Sequence, residues 1–229
     1  MAKKPAKIKR DLSSKGLLEQ ELQAEQRRIV GVDEVGRGCL AGPVYAACVC
    51  LDYAALARLD STTKSLIRDS KTLSTTQRQK IIPTLHGICK EWAVGTASVR
   101  EIEEWGIVPA TFRAMARAYH ELKLGCDVML IDGKQKNPYL EIRQEAVIGG
   151  DGLCFAIAAA SILAKEARDD FMREAAVNFP AYDFSENVGY GTKSHLNALE
   201  ECGITPLHRR NFAPIQRYAE QGHYFNPTP

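Results

Sequence analysis

No run in this 229-residue sequence is apolar for long enough to cross a bilayer. The basic start is followed by neither an apolar run nor a small-residue cleavage site. No secretory signal is therefore expected, and a reducing, cytoplasmic setting is. Cysteine occurs seven times, at positions 39, 48, 50, 89, 126, 154 and 202, but never as CxxC. An odd, scattered set supports neither a disulfide framework nor a thiolate metal site. The glycines form neither GxGxxG nor GxxxxGK[ST], which excludes the common dinucleotide and P-loop cradles. Repeats and low-complexity tracts are absent. Neither sign of charge dominates: 30 Lys and Arg face 28 Asp and Glu, for a net +2. Bulk charge thus neither requires nor excludes nucleic acid as a partner.

What is present is an ordinary soluble composition, 45% hydrophobic and 25% charged. Residues 1–10 carry five cations and no acid, and read as a basic tail. A short helix over 14–27, with Leu18 and Leu22 on one face, follows it. Arg28 to Val32 reads as a strand that enters a turn at Asp33–Gly38. Val44 to Leu51, apolar on both faces, reads as a central strand, and Glu91 to Val99 as another. Between them, 53–75 is polar and irregular, with short helices. The pattern then changes. Pro109, Phe112, Met115, Tyr119 and Leu122 mark a helix, with Gly125 as its stop. Asp127 to Ile131 and Glu145 to Ile148 are short apolar strands. Ile157, Ala160, Ala164, Ala167 and Phe171 mark a long helix. After Pro180 no strand is expected. Thr192 and Gly203 bracket a further helix, and His223 to Pro229 should fray. The fold class expected is α/β, a mixed sheet flanked by helices with a small C-terminal helical lobe. The expected division is 1–27, 28–180 and 181–229.

Acids fall where these strands end. Asp33 and Glu34 follow the first, Asp132 a later one and Asp151 the last candidate. If the ends converge, four anions meet and something positive must offset them. Hard oxygen donors with no Cys–His cluster beside them favour Mg²⁺ or Mn²⁺. A lone Asp-Gly is equally a turn signal. The adjacent pair is the stronger clue, because strand alternation sends neighbours to opposite faces and using both requires the chain to turn. Arg37, in Gly36-Arg37-Gly38, either contacts phosphate or packs across the sheet. Ser70-Lys71 either holds a phosphate or caps a helix. Tyr190, between two glycines, either stacks on a sugar or closes the small lobe onto the sheet.

The ordered set of motifs resembles the bacterial ribonuclease HII family. It comprises Gly31-Val32-Asp33-Glu34-Val35-Gly36-Arg37-Gly38 with Leu40-Ala41-Gly42-Pro43-Val44, then Asp69-Ser70-Lys71-Thr72-Leu73 and Ile131-Asp132-Gly133. Gly150-Asp151 follows, ahead of Ala158 to Lys165 with Arg168-Asp169. Gly189-Tyr190-Gly191-Thr192, His195 and His208-Arg209 with Phe212 close the series. The resemblance spans roughly residues 28 to 215. It implies a ribonuclease H-like α/β domain that cuts the RNA strand of RNA–DNA hybrids and cuts 5′ of single ribonucleotides in duplex DNA. The products would carry a 3′-hydroxyl and a 5′-phosphate. By motif, Asp33, Glu34, Asp132 and Asp151 would be the catalytic, metal-binding acids for Mg²⁺ or Mn²⁺, serving two-metal hydrolysis. Gly36, Arg37, Gly38 and Tyr190 would sense the ribose 2′-hydroxyl. Lys71, Ser161 and Lys165 would lie near phosphates, Lys165 alternatively steadying the acids. Cys39, Lys134, Val188 and Asn211 depart from the residues usual in the family, proline, asparagine, lysine and serine. A monomer without membrane contact is expected. Gln216 to Phe225 has poor spacing for a sliding-clamp docking segment, which leaves that partner open.

Overall fold

The structure is a computed structural model that describes residues 15–226. The whole basic tail and the last three residues lie outside it. A first helix, α1 (Leu17–Ala24), leads into β1 (Ile29–Val35) and β2 (Val44–Leu51). Short helices α2 (Tyr53–Arg58) and α3 (Ser61–Ser65) and a 3-10 turn (Ser70–Thr72) precede α4 (Thr75–Ile88) and β3 (Cys89–Ala97). Then come α5 (Val99–Trp105), α6 (Ile107–His120), β4 (Val128–Asp132), β5 (Gln144–Val147), α7 (Gly150–Leu153) and α8 (Phe155–Asn178). A second 3-10 turn (Pro180–Tyr182), α9 (Phe184–Asn187), α10 (Lys193–Cys202) and α11 (Ala213–Glu220) complete the chain.

The five strands form one mixed sheet in the order β3-β2-β1-β4-β5. β1, β2 and β3 pair antiparallel; β4 joins β1, and β5 joins β4, in parallel. The two kinds of pairing reflect the connections. Eight residues link β1 to β2, whereas β3 returns to β4 through two helices, the crossover that parallel pairing needs.

Alternation along β1 and β2 feeds two apolar layers. Val35, Ala47, Val49 and Leu51 pack with the alanine-rich face of α8 and with Ile81, Leu85 and Ile88 of α4. Val30, Val32, Val44, Ala46 and Cys48 pack with Ala110, Ala114, Met115 and Ala118 of α6. Leu18 and Leu22 of α1 close the α8 side beside Ile29, Val128 and Ile157. A third cluster, around Tyr182, Phe184, Leu199, Ile204, Ile215 and Tyr218, forms the helical C-terminal region and reaches back to Leu40, Ala41 and Met172.

Four features differ from the sequence reading. First, β1 does not stop at Val32: Asp33, Glu34 and Val35 still pair with Ala47, Ala46 and Tyr45 of β2. The backbone ladder carries the acids inside the strand. Second, α6 ends at His120, and Gly125 turns the chain only later, in the loop before β4. Third, α4 was not foreseen. Its apolar pattern is weak and Pro83 interrupts it, yet Ser74 and Gln77 form a reciprocal capping box that starts it. Fourth, His223 and Tyr224 do not fray. The Ile204 N–H donates to the His223 carbonyl at 2.9 Å, and the Phe225 N–H donates to the Ile204 carbonyl at 2.9 Å.

A helix packs very closely on the sheet at Gly31. A Cβ there would lie 2.2 Å from the Ala156 carbonyl carbon and 2.4 Å from the Ile157 nitrogen. Both are backbone atoms at the start of α8, so a side chain can be accommodated only by lifting the helix. Gly31→Ala is therefore expected to lower unfolding free energy by about 3 kcal/mol, read from urea titration. A loss within error would mean that α8 is free to shift outward.

Candidate active site

The acids lie at one edge of the sheet. Val32 pairs with Ile131, so Asp33 and Asp132 stand one residue further along two adjacent parallel strands. Asp132 pairs with Val147 at the end of β5, and Asp151 follows in the turn of α7. Alternation separates the neighbouring pair: Asp33 faces α8, and Glu34 faces α6. No sharp turn is needed between them, because both lie beyond Val32, the last residue of β1 that pairs with β4, while still paired with β2. Glu34 and Asp132 line a cleft of about 370 Å³ with Arg37, Thr111, Phe112 and Lys134.

Most of these carboxylates are held by a backbone donor. Glu34 N–H donates to Asp33 Oδ1 at 2.7 Å, Gly150 N–H to Asp132 Oδ1 at 2.7 Å and Gly152 N–H to Asp151 Oδ1 at 2.8 Å. The second oxygens of Asp132 and Asp151 receive no protein donor among the described residues. Gly150 comes close to Asp132 because it has no side chain: a Cβ would sit 2.5 Å from Ile157 Cδ1 and 3.3 Å from the Asp132 carboxylate. Arg37 Nη1 donates to Glu34 Oε1 at 3.3 Å.

These groups repel one another. Burial pushes the Asp33 carboxyl well above the usual carboxylate range, and the charges of Glu34 and Asp132 add to it. Glu34 is raised by burial and by Asp132, against the opposing pull of Arg37 and Lys71. Asp151 is raised by burial, then by Asp132 and Asp69. Lys71 is thus a cation within electrostatic reach of the acids, on an exposed 3-10 turn that Asp69 caps. Among the described residues, no three His, Cys, Asp or Glu side chains converge into a group already able to hold an ion. The donor set is nonetheless oxygen only, mutually repelling and incompletely neutralised, which fits a hard divalent cation.

The other predicted residues fall into three places. Ser161 is buried beside Asp33, where its hydroxyl works against the rise of that carboxyl and lies 3.0 Å from the Ser70 hydroxyl. Lys165 turns away to Asp169, with Nζ 2.6 Å from Oδ1, in an ion cluster that includes Arg78. The Gly36–Gly38 turn lies on the surface, but two of its carbonyls are already used. Arg209 donates to Gly36 O at 2.7 Å and to Arg37 O at 3.0 Å. The N–H groups of Arg37 and Gly38 and the Gly38 carbonyl have no protein partner among the described residues. Tyr190 is 39% exposed, and its hydroxyl meets the thiol of Cys39. Val188, two residues before it, has φ 43°, a left-handed conformation that a β-branched residue rarely takes, and Arg168 Nη1 holds its carbonyl at 2.8 Å.

Sequence reasoning missed several supports. Glu19 of α1 accepts from the Phe155 and Ala156 N–H groups, both at 2.8 Å, and so caps α8 from far along the chain. Lys15 Nζ donates to the Asp151 carbonyl at 2.8 Å. Neither spacing nor periodicity signals such long-range capping. Arg168 and Arg209, quoted only as parts of motifs, are fully buried and bind the loops on either side of the site.

A mixed five-stranded sheet flanked by helices, with acids at the ends of its central parallel strands, defines a hydrolase of the ribonuclease H-like class. The family model for ribonuclease HII matches residues 30–215. The chain belongs to the ribonuclease HII family. It is 45% identical to the ribonuclease HII of Parabacteroides distasonis over 182 residues, covering 80% of this chain and 88% of that one. In fold it is similar to the ribonuclease H2 of Pyrococcus horikoshii OT3, with TM-score 0.71 and 23% identity over 85% of this chain and 98% of that one. It is also similar in fold to Bst-RNase HIII solved in complex with Mn²⁺, with TM-score 0.62 and 18% identity over 85% of this chain and 70% of that one.

A carboxyl whose pKa is raised on folding favours the folded state below its unfolded value and loses that contribution as pH rises. At pH 7 without divalent cations Asp33 therefore opposes folding. Asp33→Asn keeps an acceptor for the Glu34 N–H and removes the charge. In EDTA its Tm is expected to exceed the parent's at pH 7, with the gap closing towards about pH 4. A lower Tm at pH 7 would show that the charge is already compensated within the protein.

Proposed function

We propose that this chain is an endonuclease that hydrolyses the RNA strand of RNA–DNA hybrids. We further propose that it cuts on the 5′ side of single ribonucleotides in duplex DNA, leaving a 3′-hydroxyl and a 5′-phosphate. The observation that carries this reading is the set of incompletely neutralised acids on an open sheet edge, beside a backbone turn with unused N–H groups and an exposed tyrosine.

Asp33, Glu34, Asp132 and Asp151 would hold Mg²⁺ or Mn²⁺, which supplies an activated water and charge stabilisation for the phosphoryl and leaving oxygens. The protein's part is preorganisation. The donors on Asp33, Asp132 and Asp151 fix one oxygen of each carboxylate, so the acids need little reorientation when the charge arrives. Lys71, within electrostatic reach of them, would meet a phosphate. The buried Ser161 would act on the reaction through Asp33, whereas Lys165 is taken up by its ion pair with Asp169.

An enzyme that accepts every base must read the ribose and the duplex shape. With the Gly36 and Arg37 carbonyls already bonded to Arg209, the turn retains the Arg37 and Gly38 N–H groups as donors to a 2′-hydroxyl and the Gly38 carbonyl as acceptor. The exposed face of Tyr190 would stack on the adjoining sugar.

Cleavage of two labelled duplexes that differ in one embedded ribonucleotide, with and without Mg²⁺ or Mn²⁺, tests this. Metal-dependent cutting 5′ of the ribonucleotide is expected, with the all-DNA duplex intact. Equal cutting of both would remove the 2′-hydroxyl sensor, and no cutting by folded protein would remove the activity. Tyr190→Ala should lower cleavage at the ribonucleotide by roughly 5- to 150-fold, the equivalent of about 1–3 kcal/mol. Asp33→Asn should abolish it.

A further inference from the structure

The C-terminal region encloses two histidines that the proposed chemistry does not use. His195 lies on α10 and His208 on the loop beyond it; both side chains are buried. Their Nε2 atoms are 2.9 Å apart. At that distance one nitrogen donates and the other accepts, so the pair shares a single proton there. The outer ends decide which. Thr205 N–H points at His208 Nδ1 across 2.8 Å, and a backbone N–H can only donate. His208 Nδ1 is therefore bare and its proton sits on Nε2. His195 Nε2 must then accept, which leaves the His195 proton on Nδ1. That nitrogen lies 2.9 Å from the Tyr190 carbonyl oxygen, which can only accept. Each ring is neutral, and each has one tautomer that satisfies its neighbours.

The surroundings keep the pair in this state. Tyr182 and Phe184 pack against both rings, and Asp183 is the charged group that acts on His195. Burial lowers both imidazoles, His208 to about 3. A proton added to either ring would put two N–H groups face to face. The chain ends on the Tyr190 carbonyl, which also accepts from Thr192 N–H at 2.8 Å, while the Tyr190 N–H donates to the Asn187 carbonyl at 2.9 Å. Next to it the Gly189 carbonyl accepts from Leu40 N–H at 2.8 Å, so His195 is the side chain that ties this backbone turn to the helical region.

We propose that His195 and His208 are positioning residues, a one-way hydrogen-bond chain from the Thr205 N–H to the Tyr190 carbonyl that fixes the tyrosine for ribose recognition. The proposal rests on the reading of Tyr190 as a sugar-stacking residue. It predicts that the histidines influence ribose preference through Tyr190 alone, whereas a merely structural pair would act on stability without regard to that side chain.

A double-mutant cycle on the full chain tests it. The readouts are kcat/KM at a single embedded ribonucleotide and affinity for the same duplex in EDTA by fluorescence anisotropy. His195→Phe keeps the ring volume and removes the donor. It is expected to lower both quantities about fivefold to tenfold. His195→Asn, which can still donate to the Tyr190 carbonyl, should recover most of the loss. In a Tyr190→Ala background, His195→Phe should change nothing further. Equal losses in both backgrounds, with Tyr190→Ala itself impaired, would overturn the positioning role and leave the tyrosine's role standing. A Tyr190→Ala protein with parent behaviour would overturn both. Imidazole ¹⁵N spectra of the folded chain at pH 7 give a readout that does not depend on the His195→Phe variant folding. His208 should be protonated on Nε2 alone and His195 on Nδ1 alone; the opposite tautomers, or a charged ring, would overturn the chain of donors.

Discussion

The contact between the start of α8 and β1 sets the geometry on which the rest depends. Helix and strand approach until the Ala156 backbone occupies the space where Gly31 would carry a Cβ. Alanines at 156, 158, 159, 160 and 164 keep that face of the helix shallow and fully buried. At this separation Ser161 reaches Asp33 from below, and the turn that precedes the helix brings Gly150 N–H to Asp132 and carries Asp151 to the same edge. A helix held even a few ångströms further out would leave the four acids unconnected. Close packing thus does the work of assembling a site whose members repel one another.

That repulsion is tolerated because local donors offset part of it. Backbone N–H groups hold Asp33, Asp132 and Asp151, Arg37 pairs with Glu34, and Lys71 lies within electrostatic range. The compensation is incomplete, and the carboxyls of Asp33, Glu34 and Asp151 remain raised. A fully neutralised cluster would have little affinity for a cation. On the proposed reading, stability is given up at the edge of the sheet so that a cation can be received there.

Two buried arginines join this edge to the C-terminal helices. Arg168 donates to the carbonyls of Pro43, Ala41 and Val188, and Arg209 to those of Gly42, Gly36 and Arg37. Burial lowers Arg209 to about 10, which still leaves it charged at neutral pH. Guanidinium donors suit this task because one rigid fork can satisfy several loop carbonyls that would otherwise be buried without partners. Gly36, at φ 92°, has no room for a side chain because the Arg168 guanidinium occupies that space. The glycine turn and the tyrosine loop are therefore fixed to one another through main-chain oxygens rather than through side-chain packing.

Much of this was written locally in the sequence. Strand periodicity placed β2 and β4, the Thr192 and Gly203 caps placed α10, and the ordered acidic and glycine motifs pointed to the family. Such features are legible because each depends on residues a few positions apart. The helix α4 was hidden because its apolar stripe is weak and its proline misleading, although the Ser74–Gln77 box marked its start. Only the tertiary structure decided that Asp33 and Glu34 lie within β1 on opposite faces, that Glu19 caps a helix more than a hundred residues away, and that Arg209 takes two of the turn's carbonyls. It alone brought His195 and His208 into one chain of donors that ends on Tyr190. The physical reason is the same in each case. Propensity, capping and periodicity act along the chain, whereas the partner of a buried polar group is chosen by whatever packing brings within about 3 Å of it.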